Sequence, residues 1–438
     1  TVGIVLQKNV RRNVMSKNNN EFFKEKKDWS LVKDKLLGCY LAPYFQKVLA
    51  TGKQICYVDC FSGKGKFEDG NPGSPIIALQ TRDKCLQQSK KIINKDNAIS
   101  MNFIDLNYAR ELRQNLSLYD NKYGKLNIVD GKYEEKIISI LKTQKNKNVF
   151  LYIDPYGIKA LDTYLFEQFN TIGFNTFEML INFNTFGFFR DACRVMSVDY
   201  KNDSALQNLD DLIEYDPSSV VSEVHASDVL TRIAGGDYWK EIVGDYKDGK
   251  INGYKAEQRL STEYKTHLKK YYSYVLDMPI RLKADSRPKY RMIHVSNHED
   301  GCFLMGQNMQ NRKDELYTNI QSSGQLSIFD IMPGVSQSVE GDWIKEEDIQ
   351  RKVKSEIDNM FEDVNITKFI ARFINEYGLI CNFDYIYKEL KALELSGEIE
   401  IIRNPAISEK TNKPLTYMTE DKKKTVIIRR KRHEKGSR

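Results

Sequence analysis

The sequence predicts an α/β fold built on a largely parallel sheet, followed by a separate helical domain. Three observations carry this expectation. Between residues 54 and 183, short β-rich apolar runs alternate with amphipathic helical stretches. The runs are continuously apolar, as strands buried on both faces must be. The first four end in an acid: Asp59, Asp105, Asp130 and Asp154.

The elements follow in order. Residues 21–50 read as a helix, with Leu31, Leu36, Leu37, Leu41, Phe45, Val48 and Leu49 near a 3.6-residue period. QICYVDCF (54–61) is the first strand. The helix SPIIALQTRDKCLQQSKKII follows, with Ser74 as N-cap and Pro75 as its first residue. ISMNFIDL (99–106), KLNIVDG (125–131), NVFLYIDPYG (148–157) and TFEMLINF (176–183) are the next four strands, with helices between them. Residues 186–270 break the alternation and read as a helical insertion. YYSYVLDMPIRL (271–282) and KYRMIHVSNHEDGCFLMGQNM (289–309) read as strands again, with NHEDG a turn, closing the sheet as an antiparallel pair.

The Gly-, Ser- and Gln-rich stretch 321–342 reads as a linker. Beyond it lie three amphipathic helices, then EIEIIRN and LTYMT as short strands around a polar loop. This is the winged-helix pattern, which serves nucleic-acid binding or protein interaction. The expected boundaries are an extension over 1–24, an α/β domain over 25–320 with its insertion at about 186–270, the linker, a winged-helix-like domain over 343–420 and a basic tail over 421–438.

Composition narrows the classes. No apolar run approaches the ~20 residues of a membrane span, so a membrane partner is not expected. Seven cysteines include no C-x-x-C pair, and five histidines show no H-E-x-x-H spacing. Neither a disulfide framework nor a metal site is expected, and a reducing cytoplasm fits. The net charge is +7, and residues 422–438 hold +8 of it, which leaves −1 for residues 1–421. Basic character is therefore local. The tail either contacts phosphates or is a solvated end.

The strand ends carry the chemistry. YVDCFSGKGKF places Phe61, Gly63 and Gly65 just after Asp59. Glycines there permit a tight turn and close backbone approach to a ligand, although the third glycine of G-x-G-x-x-G is missing. Asp105 can accept from ribose hydroxyls, and Asp130 from an adenine amino group. Asp154-Pro155-Tyr156-Gly157 is either a capped turn or a catalytic one. A nucleobase amine is a poor nucleophile because its lone pair is delocalised. An acceptor for its N–H localises that pair, and a neighbouring ring can stack on the base. After the fifth strand, Phe186, Phe188, Phe189 and Arg190 either clamp a flipped base or cover the insertion's core.

The order D-x-F-x-G-x-G, acid, acid, D-P-aromatic resembles class I S-adenosylmethionine-dependent methyltransferases. More narrowly, KDKLLGCYLAPYF, YVDCFSGKGKFEDGNPGSPIIAL, FIDLNYARELRQNL and VFLYIDPYGIK resemble the three-Cys-motif partner (TcmP) family, over roughly residues 25–310. The resemblance implies a Rossmann-like class I methyltransferase sheet, S-adenosylmethionine as cofactor and a mobile-element or phage-defence setting. A three-Cys-motif radical-SAM-like protein is the implied partner. Phe61, Gly63 and Gly65 would then admit the cofactor's methionine end, Asp59 its ammonium, Asp105 the ribose and Asp130 the adenine. Asp154 and the Pro155 carbonyl would take the target amine's N–H, and Tyr156, Phe186 and Arg190 would hold the base. The single proline departs from the D/N/S-P-P-aromatic of DNA amino methyltransferases. DPYG is similar instead to the D-P-aromatic-G of tRNA guanine dimethyltransferases, so DNA and RNA both stay open. The competing expectation is a silent adaptor that keeps the fold and works through partners. A nuclease lacks support, because no D…ExK or HNH spacing lies beside the sheet edge.

Overall fold

The continuously apolar runs become central strands. In the computed structural model, which describes residues 23–24, 26, 28–89, 95–200, 223–280, 288, 290–322, 335–337 and 343–431, every residue of β1 (Ile55–Asp59) and β4 (Asn148–Ile153) is buried. With β2 (Ile99–Asp105), β3 (Asn127–Asp130), β5 (Thr176–Phe183), β6 (Tyr274–Ile280) and β7 (Tyr290–Ser296) they form a seven-stranded sheet. Its order is β3-β2-β1-β4-β5-β7-β6. β1 pairs in parallel with β2 and β4, β2 with β3, and β4 with β5. The sheet is mostly parallel and compatible with a Rossmann-like fold. Its order reverses between β1 and β4, the switch point where doubly wound sheets take ligands.

Helices connect these strands. α1 (Asp28–Leu49) precedes β1 and buries Leu36, Leu37, Tyr40, Leu41, Tyr44 and Phe45. It packs on α2 (Ser74–Gln88). α3 (Ala109–Asn115), α4 (Tyr133–Lys142) and α5 (Thr163–Asn170) follow β2, β3 and β4. The described part of the expected insertion is helical: α6 (Thr185–Val195), α7 (Glu223–Ala234), α8 (Tyr238–Lys247) and α9 (Gly253–Leu268).

The chain divides into two compact units, Thr1–Leu260 with Ile280–Leu282 and Pro288–Met292, and Ser261–Pro279 with Lys283–Arg287 and Ile293–Arg438. In the second unit, α10 (Glu299–Ser322) is followed by the short antiparallel pair β8 (Val335–Gln337) and β9 (Trp343–Lys345). Then come α11 (Glu346–Asp358), β10 (Val364–Asn365), α12 (Ile366–Tyr377), α13 (Phe383–Ser396), β11 (Ile399–Asn404) and β12 (Thr425–Arg430). The last three strands make an antiparallel sheet in the order β10-β12-β11. α10 packs on α12. Local signals explain the ends: Asn365 and Asn382 cap α12 and α13 through their side chains, and Gly397 closes α13 with φ of 81°.

Three expectations are corrected. The N-cap of α2 is Gly73, and the Ser74 side chain instead acts on Asp59. The run 289–309 is not one strand pair: β7 stops at Ser296 and α10 begins at Glu299. Glu299 and Asp300 in its first turn favour that helix start. LTYMT is not a strand. The strand that pairs with β11 is β12, inside the expected basic tail, because Val426 and Ile428 alternate as buried residues along it. Residues 1–22 of the expected extension over 1–24, most of the linker and residues 432–438 lie outside the described residues. Among the described residues no helix is long and apolar enough to cross a membrane.

Candidate active site

The loop after β1 is fixed by its own backbone. The Ser62 amide donates to the Ile104 carbonyl at 3.0 Å, and the Gly73 amide to the Gly65 carbonyl at 3.0 Å. Gly63 and Gly65 hold φ of 57° and 75°, a region costly for other residues. A Cβ at Gly63 would meet Phe23 Cζ at 2.9 Å, and one at Gly65 would meet Leu112 Cδ1 at 2.8 Å. Backbone conformation and packing thus account for both glycines.

Asp105 ties the end of β2 to this loop. Its Oδ2 accepts from the Gly63 amide at 2.7 Å, and its Oδ1 from the Asn107 and Tyr108 amides at 2.8 and 2.7 Å. Asp59 is different. It is fully buried, and its Oδ1 accepts from the Phe61 amide at 3.3 Å. Burial pushes its carboxyl up to about 7, against the Ser74 hydroxyl and the Phe61 amide.

Asp154 closes the third side. Lys33 Nζ, from α1, donates to Oδ1 at 2.9 Å and Oδ2 at 2.8 Å. Asn182 Nδ2, at the end of β5, donates to Oδ1 at 2.7 Å. The Tyr152 hydroxyl donates to Oδ2 at 3.1 Å. Next to Lys33, Asp34 pairs with Lys26, and burial pushes its carboxyl up to about 6 against that cation.

These three strand ends share one cavity of about 420 Å³, within the range of small-molecule sites. Its wall includes Phe61, Gly63, Gly65, Asp105, Asp154, Pro155 and Tyr156 from the expected set. The Tyr156 ring is 47% exposed, and Leu106, beside Asp105, is 53% exposed. The remaining four expected residues do not line it. Asp59 lies behind the loop, and Asp130 is exposed at the sheet's edge strand. Phe186 is buried within α6, and Arg190 lies on the same helix. Lys132 and Glu134, just past Asp130, reach the wall instead.

Lys33 and Asn182 escaped the sequence reading. Both left a signal. Lys33 falls on the buried stripe of α1 with Leu37, Tyr40 and Tyr44, where a lysine needs a partner. Asn182 is a polar residue near the end of an otherwise apolar strand.

The exposed Leu106 side chain offers an apolar face beside a carboxylate fixed by backbone amides. Among the described residues no group of three His, Cys, Asp or Glu side chains is placed to hold a metal ion. The site is thus a cavity with a mainly apolar lining and a few charged side chains, at the switch point of a mostly parallel α/β sheet. The chain matches no protein-family model and no curated protein.

Proposed function

We propose that this protein is an S-adenosylmethionine-dependent methyltransferase acting on an exocyclic amino group of a nucleobase in DNA or RNA. One observation carries the reading: the Asp154-Pro155-Tyr156 turn lines the same cavity as the glycine loop and Asp105, at the β1/β4 switch point. The strand order 3-2-1-4-5 supports the same fold. The reading keeps the chain with the three-Cys-motif partner proteins, on the motifs quoted above.

Phe61, Gly63 and Gly65 would border the cofactor's methionine end, Asp105 the ribose and Leu106 the purine. The bound cofactor supplies an electrophilic methyl group. The chain's part is to hold the target base, stacked on Tyr156, with its amine at the Asp154–Pro155 step. No role is assigned to Asp59 at the ammonium, since it is off the wall.

In the second unit, the element order α11-β10-α12-α13-β11-β12 supports a winged helix. A second reading draws on α13. This helix exposes Asp384 beside Lys388 and Lys391, Lys388 pairs with Glu346, Glu394 pairs with Arg403, and Glu389 is buried. That leaves a mixed surface with little net charge, weakly suited to phosphates and compatible with a protein partner, as an adaptor would need.

The test uses methyl-labelled S-adenosylmethionine with single- and double-stranded DNA and RNA, read as label in digested nucleosides. Wild type should label an amino group. Asp154→Ala should lower transfer by roughly 10²-fold or more, with cofactor affinity by calorimetry nearly unchanged. A wild type that binds cofactor and labels none of these polymers would favour the adaptor.

A further inference from the structure

Resting on that reading, the structure distinguishes the two acceptors at the Asp154–Pro155 step. An ionised carboxylate offers two oxygens with about four lone-pair positions. At Asp154, Lys33 takes one position on each oxygen, Asn182 a second on Oδ1 and Tyr152 a second on Oδ2. All three donors are nearly inaccessible: Lys33 is 7% exposed, Asn182 5% and Tyr152 1%. They come from α1, β5 and β4, so the arrangement is built by the fold rather than by one loop.

Two details show what this shell is for. The Asn182 Oδ1 is buried without a hydrogen-bond partner among the described residues. The amide therefore gives up satisfying its own oxygen while its nitrogen donates to Asp154. The Lys33 ammonium also lies 5.3 Å from the Tyr290 ring centroid, a cation–π distance that helps fix it. In contrast, no hydrogen bond to the Pro155 carbonyl occurs among the described residues, and Pro155 lines the cavity.

We infer that Asp154 is a positioning residue, locked by Lys33, Asn182 and Tyr152, and that the turn it anchors presents the Pro155 carbonyl as the acceptor for the target amine. The amine's lone pair forms the N–C bond as the methyl's bond to sulfur breaks and leaves its electron pair on sulfur. During attack one N–H donates to the Pro155 carbonyl, which takes no proton. The proton is released from nitrogen to water afterwards. Lys33 neutralises the partly buried carboxylate and is not itself a proton donor in the step.

The test is a double-variant cycle: Lys33→Met, Asp154→Asn and the two together. Each is measured for thermal midpoint without cofactor, for cofactor affinity and for kcat and KM of methyl transfer. Lys33→Met leaves the partly buried carboxylate without its cation, and Asp154→Asn leaves the buried ammonium without its anion. Each should lower the midpoint by roughly 5–10 °C and kcat by about 30-fold or more. Removing both charges should recover at least about half of the midpoint loss and bring kcat to within about tenfold of wild type. Cofactor affinity should stay within about threefold throughout. A double variant with a recovered midpoint and the low kcat of Asp154→Asn overturns the inference, because the carboxylate itself then takes the N–H. Should the double variant not fold, Lys33→Arg decides. It keeps the cation and should retain at least about a tenth of wild-type kcat. Wild-type midpoint with no turnover in that variant overturns the positioning role. A wild type that transfers no methyl group to any polymer defeats the proposed function and this inference with it. An active wild type with a failed cycle defeats the inference alone.

Discussion

The ends of β1 and β4 are neighbours built in opposite ways. They pair in parallel, with Asp59 opposite Tyr152, and the Cys60 amide donates to the Tyr152 carbonyl at 2.9 Å. Yet Asp59 sits fully buried with the Phe61 amide as its backbone donor, while Asp154 gathers three side chains from three elements. The β1 end is made of backbone and desolvation. The β4 end is made of charge and directed hydrogen bonds. Only the second faces the cavity. The two acids close adjacent strands, Asp59 as the last residue of β1 and Asp154 one residue past β4, two beyond the partner of Asp59, and burial and partners differ with that offset.

The largest expected effect comes from Asp59. Burial, with the nearby Asp154 and Asp105 charges adding to it, pushes its carboxyl to about 7 from an ordinary 3.8. Between those values the folded chain holds a proton that the unfolded chain has released. Stability must then fall as pH rises from about 4 to about 7. Asp59→Asn removes this dependence. Between pH 4.5 and 7.5, the stability of the variant relative to wild type should improve by about 3 kcal/mol. Urea unfolding at several pH values measures it. Asp34 rises in both proteins and cancels in the difference. A difference that stays flat across the range breaks the contrast drawn between the two strand ends.

The glycines sharpen the same contrast at a smaller scale. Gly65 after β1 has φ of 75° and no room for a Cβ, which would meet Leu112. Gly157 after β4 has φ of 78° and nothing within 4 Å of an added Cβ. Gly65→Ala should cost about 2 kcal/mol, from backbone strain plus packing. Gly157→Ala should cost about 1 kcal/mol, from backbone strain alone. Equal losses in denaturant unfolding would mean that the β1 loop is not packed as described.

Much of this was legible before the structure, for a definite reason. An acid at the end of an apolar run marks a strand terminus, and strand termini of a parallel sheet converge. Asp105 and Asp154 could be placed that way. Asp130 could not, because the same signal does not say that β3 is the edge strand. Lys33 was hidden because its partner lies 121 residues away, and no spacing rule spans such a distance. β12 was hidden by its own arginines. TVIIRR reads as part of a charged tail until Val426 and Ile428 are seen turned inward against β11.

The smallest expected effect tests the β4 end by itself. Tyr152→Phe deletes one donor to Asp154, the hydroxyl 3.1 Å from Oδ2. Lys33 and Asn182 still hold the carboxylate, so the loss should be about 1 kcal/mol, that of one net hydrogen bond. Burial first, and the Asp154 charge second, push the Tyr152 hydroxyl well above its ordinary range. It stays a donor at every pH where the chain is folded. Its contribution should therefore be flat from about pH 5 to 9, unlike that of Asp59. Chemical denaturation of wild type and Tyr152→Phe across this range would measure it. A loss that grows or vanishes with pH would show that the Tyr152 hydroxyl is not a constant donor to Asp154, and the β4 end would then resemble the β1 end after all.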